Sequence, residues 1–291
     1  MAQTRQKHVV TGKTTIVPLI GHPVEQVKSP GPMNHWFAEN DVDAVIVPMD
    51  IRPERIVNFF DVLRATENCA GCSVTMPHKQ AAFVASDEVT ERARRAKAVN
   101  TIRRSSSGKL IGDMTDGMAF VAAMAIHGVT ARGCNVLLIG AGGAGTAIAF
   151  ELAAEGAASL IILERDQMRQ RALMAELARL YPEMATFVQV PAGMTIDIAV
   201  NASPLGMAAA DSLPFPVDRL KDARIVADAV TKPVMTPWLI EAEKNGLKVQ
   251  NGEEMAVAQL PIQLTYLRFM PPAVKSGNGR KGSSETQESV G

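Results

Sequence analysis

The sequence predicts an α/β protein organised around two sheets in one chain, and three observations carry that reading. The chain has 291 residues, which against about 100–200 residues per domain suffices for two cores or one large α/β domain. Apolar residues make up 47% of it and charged residues 21%, proportions that support packed cores and exclude wholesale disorder. Short apolar runs of strand length alternate with longer amphipathic stretches, the pattern of successive β-α units.

The elements follow in order. TIVPLIG (15–21) is a compact apolar run and reads as a strand. SPGPMNHWFAEN (29–40) reads as a helix entered through Ser29 and Pro30, a capping residue followed by proline at the first helical position. AVIVPMD (44–50) completes a β-α-β opening. PERIVNFFDVLR (53–64) is an amphipathic helix, GCSVTMP (71–77) a strand running into a loop, and SDEVTERARRAKA (86–98) a single polar helix with Ser86 and Asp87 capping its start. NTIRRSSSGKLIGD (100–113) holds two extended runs about a Ser-Gly turn, a hairpin. It leads into the helix MTDGMAFVAAMAIHGV (114–129), placed to link two domains.

In the second half, NVLLIG (135–140) and SLIILERD (159–166) are apolar enough for the middle of a parallel sheet, with a glycine-rich turn and helix between them. A helix (167–181), strands at 195–203 and 223–230, a helix (236–246) and a short strand (247–251) continue the alternation. This half reads as a doubly wound sheet of Rossmann type. EEMAVAQLPIQLTYLRF (253–269) closes the chain as an apolar helix that packs back on the first domain. The expected domains are therefore 14–115 plus 253–274 for substrate, and 116–252 for a dinucleotide, with 1–13 and 275–291 as disordered polar tails. The two domains are expected to rotate about the crossings near Asp116 and Gly252.

Composition narrows the partners. Thirty basic side chains balance thirty acidic ones, so no global field draws the protein to nucleic acid or an anionic membrane. Aromatics at 4% argue against base-stacking surfaces. Cys69, Cys72 and Cys134 are an odd number without the spacing of a zinc site. No apolar run approaches the roughly 18 residues of a membrane span, and the N-terminus lacks a secretory signal. The expectation is a cytoplasmic protein with reduced thiols, a monomer or homodimer, acting on a small molecule. His22, His35 and His78 lack ligand spacing, so no metal is expected.

The chemistry concentrates at two places. Gly140, Gly142 and Gly145 have the G-x-G-x-x-G spacing between a strand and a helix. There glycine permits a tight turn, close approach of backbone to a pyrophosphate and close helix-to-strand packing. Gly140, Ala141, Gly142, Gly143, Ala144 and Gly145 are the expected phosphate loop, with Asn201 at the end of a later strand also at the cofactor. Glu164, ending the next strand, favours NAD, because a carboxylate accepts from a free ribose 2′-OH and repels a 2′-phosphate. Arg165 pulls toward NADP, or is a solvated charge. The second place is Lys79, just past a strand end in SVTMPHK, where a lysine can take a hydroxyl proton. Taken alone, such a lysine is as a rule a surface charge.

V-K-S-P (27–30), S-V-T-M-P-H-K (73–79), A-V-N-T (98–101), G-D-M-T-D-G (112–117), G-A-G-G-A-G (140–145) and N-G-E-E-M-A-V-A-Q (251–259) occur in the order and spacing of the shikimate dehydrogenase family, which the chain resembles over about residues 15–270. The resemblance implies that Lys79 and Asp116 form a catalytic pair, the lysine exchanging the hydroxyl proton while the carboxylate orients lysine and substrate. It implies that Ser29, Thr75, Asn100, Thr231 and Gln259 bind substrate. Read without it, Asn100 equally caps a turn, Thr75 is an ordinary strand residue and Gln259 faces solvent.

The departures from the family pattern fall on substrate recognition. The family's S-x-S-P has Val27 at its first serine, N-V-T-x-P-x-K begins here with Ser73, G-D-N-T-D-G carries Met114, and Thr231 stands for a tyrosine that helps hold the substrate carboxylate. Losing a hydrogen bond to a charged group costs about 1.5–3 kcal/mol. The expected activity is hydride transfer between NAD(P) and a secondary hydroxyl of a quinate-like or shikimate-like cyclic hydroxy acid. Authentic shikimate dehydrogenation is an alternative, and a non-catalytic nucleotide sensor is disfavoured by retention of Lys79 and Asp116.

Overall fold

The computed structural model describes residues 9–271. The expected tails at 1–8 and 275–291 lie outside the described residues, whereas 9–13 form coil and turn leading into the first strand.

The first part of the chain contains β1 (Thr15–Gly21), α1 (Pro30–Glu39), β2 (Ala44–Asp50), α2 (Ile56–Ala65), β3 (Gly71–Val74), α3 (Lys79–Ala85), β4 (Glu88–Val89), α4 (Glu91–Ala96), β5 (Thr101–Arg104) and β6 (Leu110–Asp113). Its sheet runs β2-β1-β3-β5-β6-β4. β1 is parallel to β2 and β3, while β5 runs antiparallel to β3 and β6 through the hairpin expected from the Ser-Gly turn. Val17 and Leu19 pack with Met33 and Phe37 of α1 on one face, and Ile20 and Val74 with Ile56 and Phe60 of α2 on the other.

The second part contains α5 (Asp116–Ile126), β7 (Asn135–Ile139), α6 (Gly143–Ala154), β8 (Ser159–Leu163), α7 (Gln167–Leu180), β9 (Ala185–Phe187), β10 (Ile198–Asn201), β11 (Ile225–Asp228), α8 (Pro237–Lys244), β12 (Val249–Gln250) and α9 (Gly252–Tyr266). Its strands are all parallel, in the order β12-β11-β10-β7-β8-β9. Numbered within this sheet the order is third, second, first, fourth, fifth, sixth, the doubly wound arrangement the sequence predicts. The connections diverge between β7 and β10, so their C-terminal ends open a crevice.

Two local readings are corrected. SDEVTERARRAKA is not one helix. Ser86 is the C-cap of α3, its hydroxyl donating back to Ala82 O at 2.7 Å. Asp87 instead accepts from Leu110 N at 2.7 Å, which aligns β4 beside β6. The cap of α4 is Thr90, accepting from Ala93 N. Lys79, five residues past the end of β3, is the first residue of α3. The edge strand β9 was also not evident, because three half-exposed residues give neither an apolar run nor a clear alternation.

The closing helix joins the two halves. Leu264 and Leu267 pack into the core of α1 and β1, while Met255, near the other end, belongs to the core beneath the second sheet. An Asn251–Glu254 capping box fixes its start: Asn251 Oδ1 accepts from Glu253 N and Glu254 N, and Glu254 Oε2 accepts from Asn251 N at 2.8 Å.

Candidate active site

A cleft of about 520 Å³ lies along the crevice of the second sheet, with Met76, Pro77, Lys79, Gln80 and Ala98 of the first half forming its opposite wall. Gly140 leaves β7 at φ +95°, a conformation that favours glycine. A side chain at Gly145 would collide with Gly140 O, so both glycines are required by the turn itself. Gly142 is the N-cap of α6 and makes no side-chain cap, and a Cβ there would meet nothing within 4 Å. The first N–H groups of α6 therefore lack side-chain partners beside open space, the setting in which a helix N-terminus receives a phosphate. These residues fit a dinucleotide.

Of the expected cofactor residues, Gly140, Gly142, Gly143, Ala144, Glu164 and Arg165 line the cleft, together with Arg169. Ala141 and Gly145 stand behind it. Asn201 is wholly buried and its side chain serves the loop after β10, donating to Leu205 O at 2.9 Å and accepting from Ser203 N at 3.1 Å. The loop lines the cleft, through Ser203 and Leu205, and Asn201 does not. Glu164 is already engaged: Oε2 accepts from Ala141 N at 2.7 Å and Oε1 from Asp166 N at 3.0 Å. Burial works against its ionisation, but these backbone N–H groups and Arg169 outweigh it and hold the carboxyl below its usual range.

A second cavity of about 120 Å³ adjoins the cleft, and Lys79 lines both. Ser29, Thr75, Asn100, Thr231 and Gln259 all line it, so the structure gathers every expected substrate residue around one space. Ser29 is the N-cap of α1 yet makes no capping bond, which leaves its hydroxyl available. Lys79 Nζ donates to Asp116 Oδ2 at 2.6 Å. The other oxygen, Oδ1, accepts from Asn100 Nδ2 at 2.6 Å and Gln259 Nε2 at 2.8 Å. Burial alone would raise the Asp116 carboxyl, but the charge of Lys79 and the three hydrogen bonds win, holding it below its ordinary value. It is an anion with both oxygens engaged.

The orientation of Asn100 is fixed by the backbone. Its Oδ1 accepts from Thr115 N at 2.9 Å, so the amide nitrogen must face Asp116. Sequence reasoning missed Gln263 and the pairing of Lys28, a residue it placed beside the Ser29 loop, with Glu253. Gln263, one turn beyond Gln259 on α9, lines the cavity and donates to Ser73 Oγ at 3.3 Å and Thr101 Oγ1 at 3.2 Å. Lys28, which lines the cavity, meets Glu253 at 2.8 Å, joining the loop before α1 to the first turn of α9. The i,i+4 spacing of Gln259 and Gln263 is a signal in the sequence; the Lys28–Glu253 pair, distant in the chain, has none. Among the described residues no three His, Cys, Asp or Glu side chains cluster as a metal site, and no helix is long and apolar enough to cross a membrane.

Comparison with known proteins adds independent findings. Residues 19–102 match the family model for the shikimate dehydrogenase substrate binding domain, and residues 122–203 match that for shikimate / quinate 5-dehydrogenase. The shikimate dehydrogenase (NADP(+)) of Rhodospirillum rubrum is 35% identical over 86% of this chain and 90% of its own. That of Rubrobacter xylanophilus is 38% identical over 86% and 89%. Among solved structures, a shikimate dehydrogenase in complex with NADP+ superposes with a TM-score of 0.81 at 31% identity, covering 90% of this chain and 92% of that one. Ligand-free 5-ketofructose reductase of a Gluconobacter strain gives 0.78 at 27% identity, covering 88% and 94%. Quinate dehydrogenase of Corynebacterium glutamicum in complex with NAD gives 0.77 at 27%, with the same coverage. Sequence, fold and site thus converge: this chain belongs to the shikimate dehydrogenase family, NAD(P)-dependent oxidoreductases acting on CH–OH groups.

Proposed function

We propose that this protein catalyses reversible hydride transfer between NADP(H) and a secondary hydroxyl of a small polyhydroxylated ring compound of the shikimate or quinate type, with Lys79 and Asp116 as its acid–base pair. The observation that carries this reading is the position of Lys79, which lines both the dinucleotide cleft and the smaller cavity while bonded to an ionised Asp116. When bound, the nicotinamide supplies or accepts the hydride. Lys79 takes the hydroxyl proton in its neutral amine form as the carbonyl forms, and as the resulting ammonium returns it in the reverse direction. Asp116 holds Nζ in one place, and Asn100 and Gln259 hold Asp116, so the proton acceptor is positioned before substrate arrives. Ser29, Thr75 and Thr231 offer hydroxyls to orient the ring.

NADP(H) replaces the NAD expected from Glu164. Two arginines, Arg165 and Arg169, line the cleft beside that carboxylate, whose oxygens already accept backbone N–H groups. The curated relatives named above also carry NADP(+) in their names. The test is a matrix of initial rates with NADP+ and NAD+ against shikimate and quinate. Activity should be greater with NADP+, and Lys79→Ala should lower kcat by about 10²–10⁴-fold while NADP+ still binds. Full activity in Lys79→Ala would remove the lysine from the chemistry.

A further inference from the structure

Position 73 faces the smaller cavity. Ser73 lines it, and the family's N-V-T-x-P-x-K pattern, which begins with asparagine at this place, has a carboxamide where this chain has a short hydroxyl side chain. A carboxamide reaches the same spot from another element. Gln263, on α9 and also lining the cavity, donates through Nε2 to Ser73 Oγ at 3.3 Å and to Thr101 Oγ1 at 3.2 Å. The amide beside β3 thus comes from a helix 190 residues further along the chain.

The positions of the protons define what these two side chains offer. Thr101 Oγ1 gives its single proton to Asn100 Oδ1 at 3.2 Å, an oxygen that the Thr115 N–H identifies as the acceptor end of its amide. Thr101 must then accept from Gln263, which puts Nε2 on that side and Oε1 on the other. Both Nε2 protons are used, while Oε1 is buried without a partner among the described residues, in a side chain that is 2% exposed. A buried acceptor of this kind calls for an O–H or N–H donor. Ser73 Oγ accepts from Nε2, so its own proton is left to give. Gln263 therefore offers an acceptor and Ser73 a donor, the two capacities that a single carboxamide at position 73 would present. One hydroxyl group answers both, because it donates one proton and accepts as well.

Resting on the reading of this cavity as the substrate site, we propose that Ser73 and Gln263 form a split amide, a donor and an acceptor that together take the place of the family's asparagine and hold one ring hydroxyl of the substrate. They are specificity-determining residues and leave the proton to Lys79 and the hydride to the cofactor. They address a hydroxyl, so they serve a ring acid and an uncharged ring alike. Their contributions are coupled, since neither makes the full contact once the other is exchanged.

A double exchange in the full chain tests this, with NADP+ and the better used of shikimate and quinate as the probe. Gln263→Ala removes the acceptor and should raise KM for the acid about tenfold while KM for NADP+ stays unchanged. Ser73→Asn alone crowds Gln263 and should lower kcat/KM for the acid. Ser73→Asn combined with Gln263→Ala returns one carboxamide to the space and should bring kcat/KM back to within about threefold of the wild type, a recovery that lost packing alone does not give. A double variant that does not exceed both singles, or an unchanged KM in Gln263→Ala, overturns the proposal and leaves the dehydrogenase reading standing. No turnover of either acid by the wild type with NADP+ or NAD+ overturns both. Where a variant does not fold, as read from its Tm, a crystal structure of the wild type with NADP+ and the acid decides. One ring hydroxyl should lie within hydrogen-bond distance of both Gln263 Oε1 and Ser73 Oγ, and either atom left without it overturns the proposal.

Discussion

Asp228 shows how burial sets the state of a carboxyl away from the Lys79–Asp116 pair. It is fully buried at the end of β11, accepting from Asn201 Nδ2 at 3.0 Å, Val230 N at 2.9 Å and Thr236 Oγ1 at 2.8 Å. Burial nevertheless prevails over these bonds and pushes its carboxyl up to about 6. A carboxyl raised on folding contributes stability that is fully present below its unfolded value near 4 and is lost as pH rises through about 6. Urea unfolding of the protein and of Asp228→Asn should therefore diverge across that window, the wild type losing on the order of 2–3 kcal/mol relative to the variant. An unchanged difference from pH 4 to 7 would place the ionisation elsewhere. Residues of this kind mark the limit of sequence reading. Lys79 and Asp116 became legible through the motifs around them. The role of Asn201 was misplaced because strand-end position says nothing of which way a side chain turns. Gln263 lies outside the motifs, marked in the sequence by its i,i+4 spacing from Gln259 alone, and the packing of α9 against β3 and β5 brings it to Ser73 and Thr101.

Among elements, α9 carries the most consequence for its length. It delivers Gln259 to Asp116 and Gln263 to the cavity, and its start is fixed by the Asn251–Glu254 box. Asn251→Ala should cost about 1 kcal/mol of stability, seen as a lower Tm, and should raise KM for substrate more than for cofactor. An equal rise for both would mean that the helix start matters only globally. The glycine-loop unit β7-α6-β8 was the most legible part of the chain, because apolar strands, turn chemistry and helix start agree with one another. The stretch 79–98 was the least, since a seven-residue helix and a two-residue strand are too short to show a period. The capping signal at Ser86 was real but belonged to the end of a helix instead of a beginning.

For the molecule as a whole, the cleft is bounded by loops of both sheets, and the chain passes between them at α5 and α9. Binding of NADP+ with a substrate that bridges Lys79 and the phosphate loop should draw the two walls together, lowering the radius of gyration measured by solution scattering; an unchanged radius would show walls that are already set. The two-sheet plan was legible from alternation alone, but the mixed first sheet was not, beyond its hairpin, because parallel and antiparallel neighbours can share the same apolar composition. At Gly117, directly after Asp116, an added Cβ would collide with the backbone of Ala147, so α5 lies bare against α6. Backbone meets backbone there, so the position of Asp116, one residue earlier, is set by the helix that begins in the glycine loop. Anyone building a chimera from this scaffold should therefore keep α5 with α6 and place the splice elsewhere, exchanging the recognising wall at Val27, Thr231 and Gln263 as a cassette while the drive train stays intact.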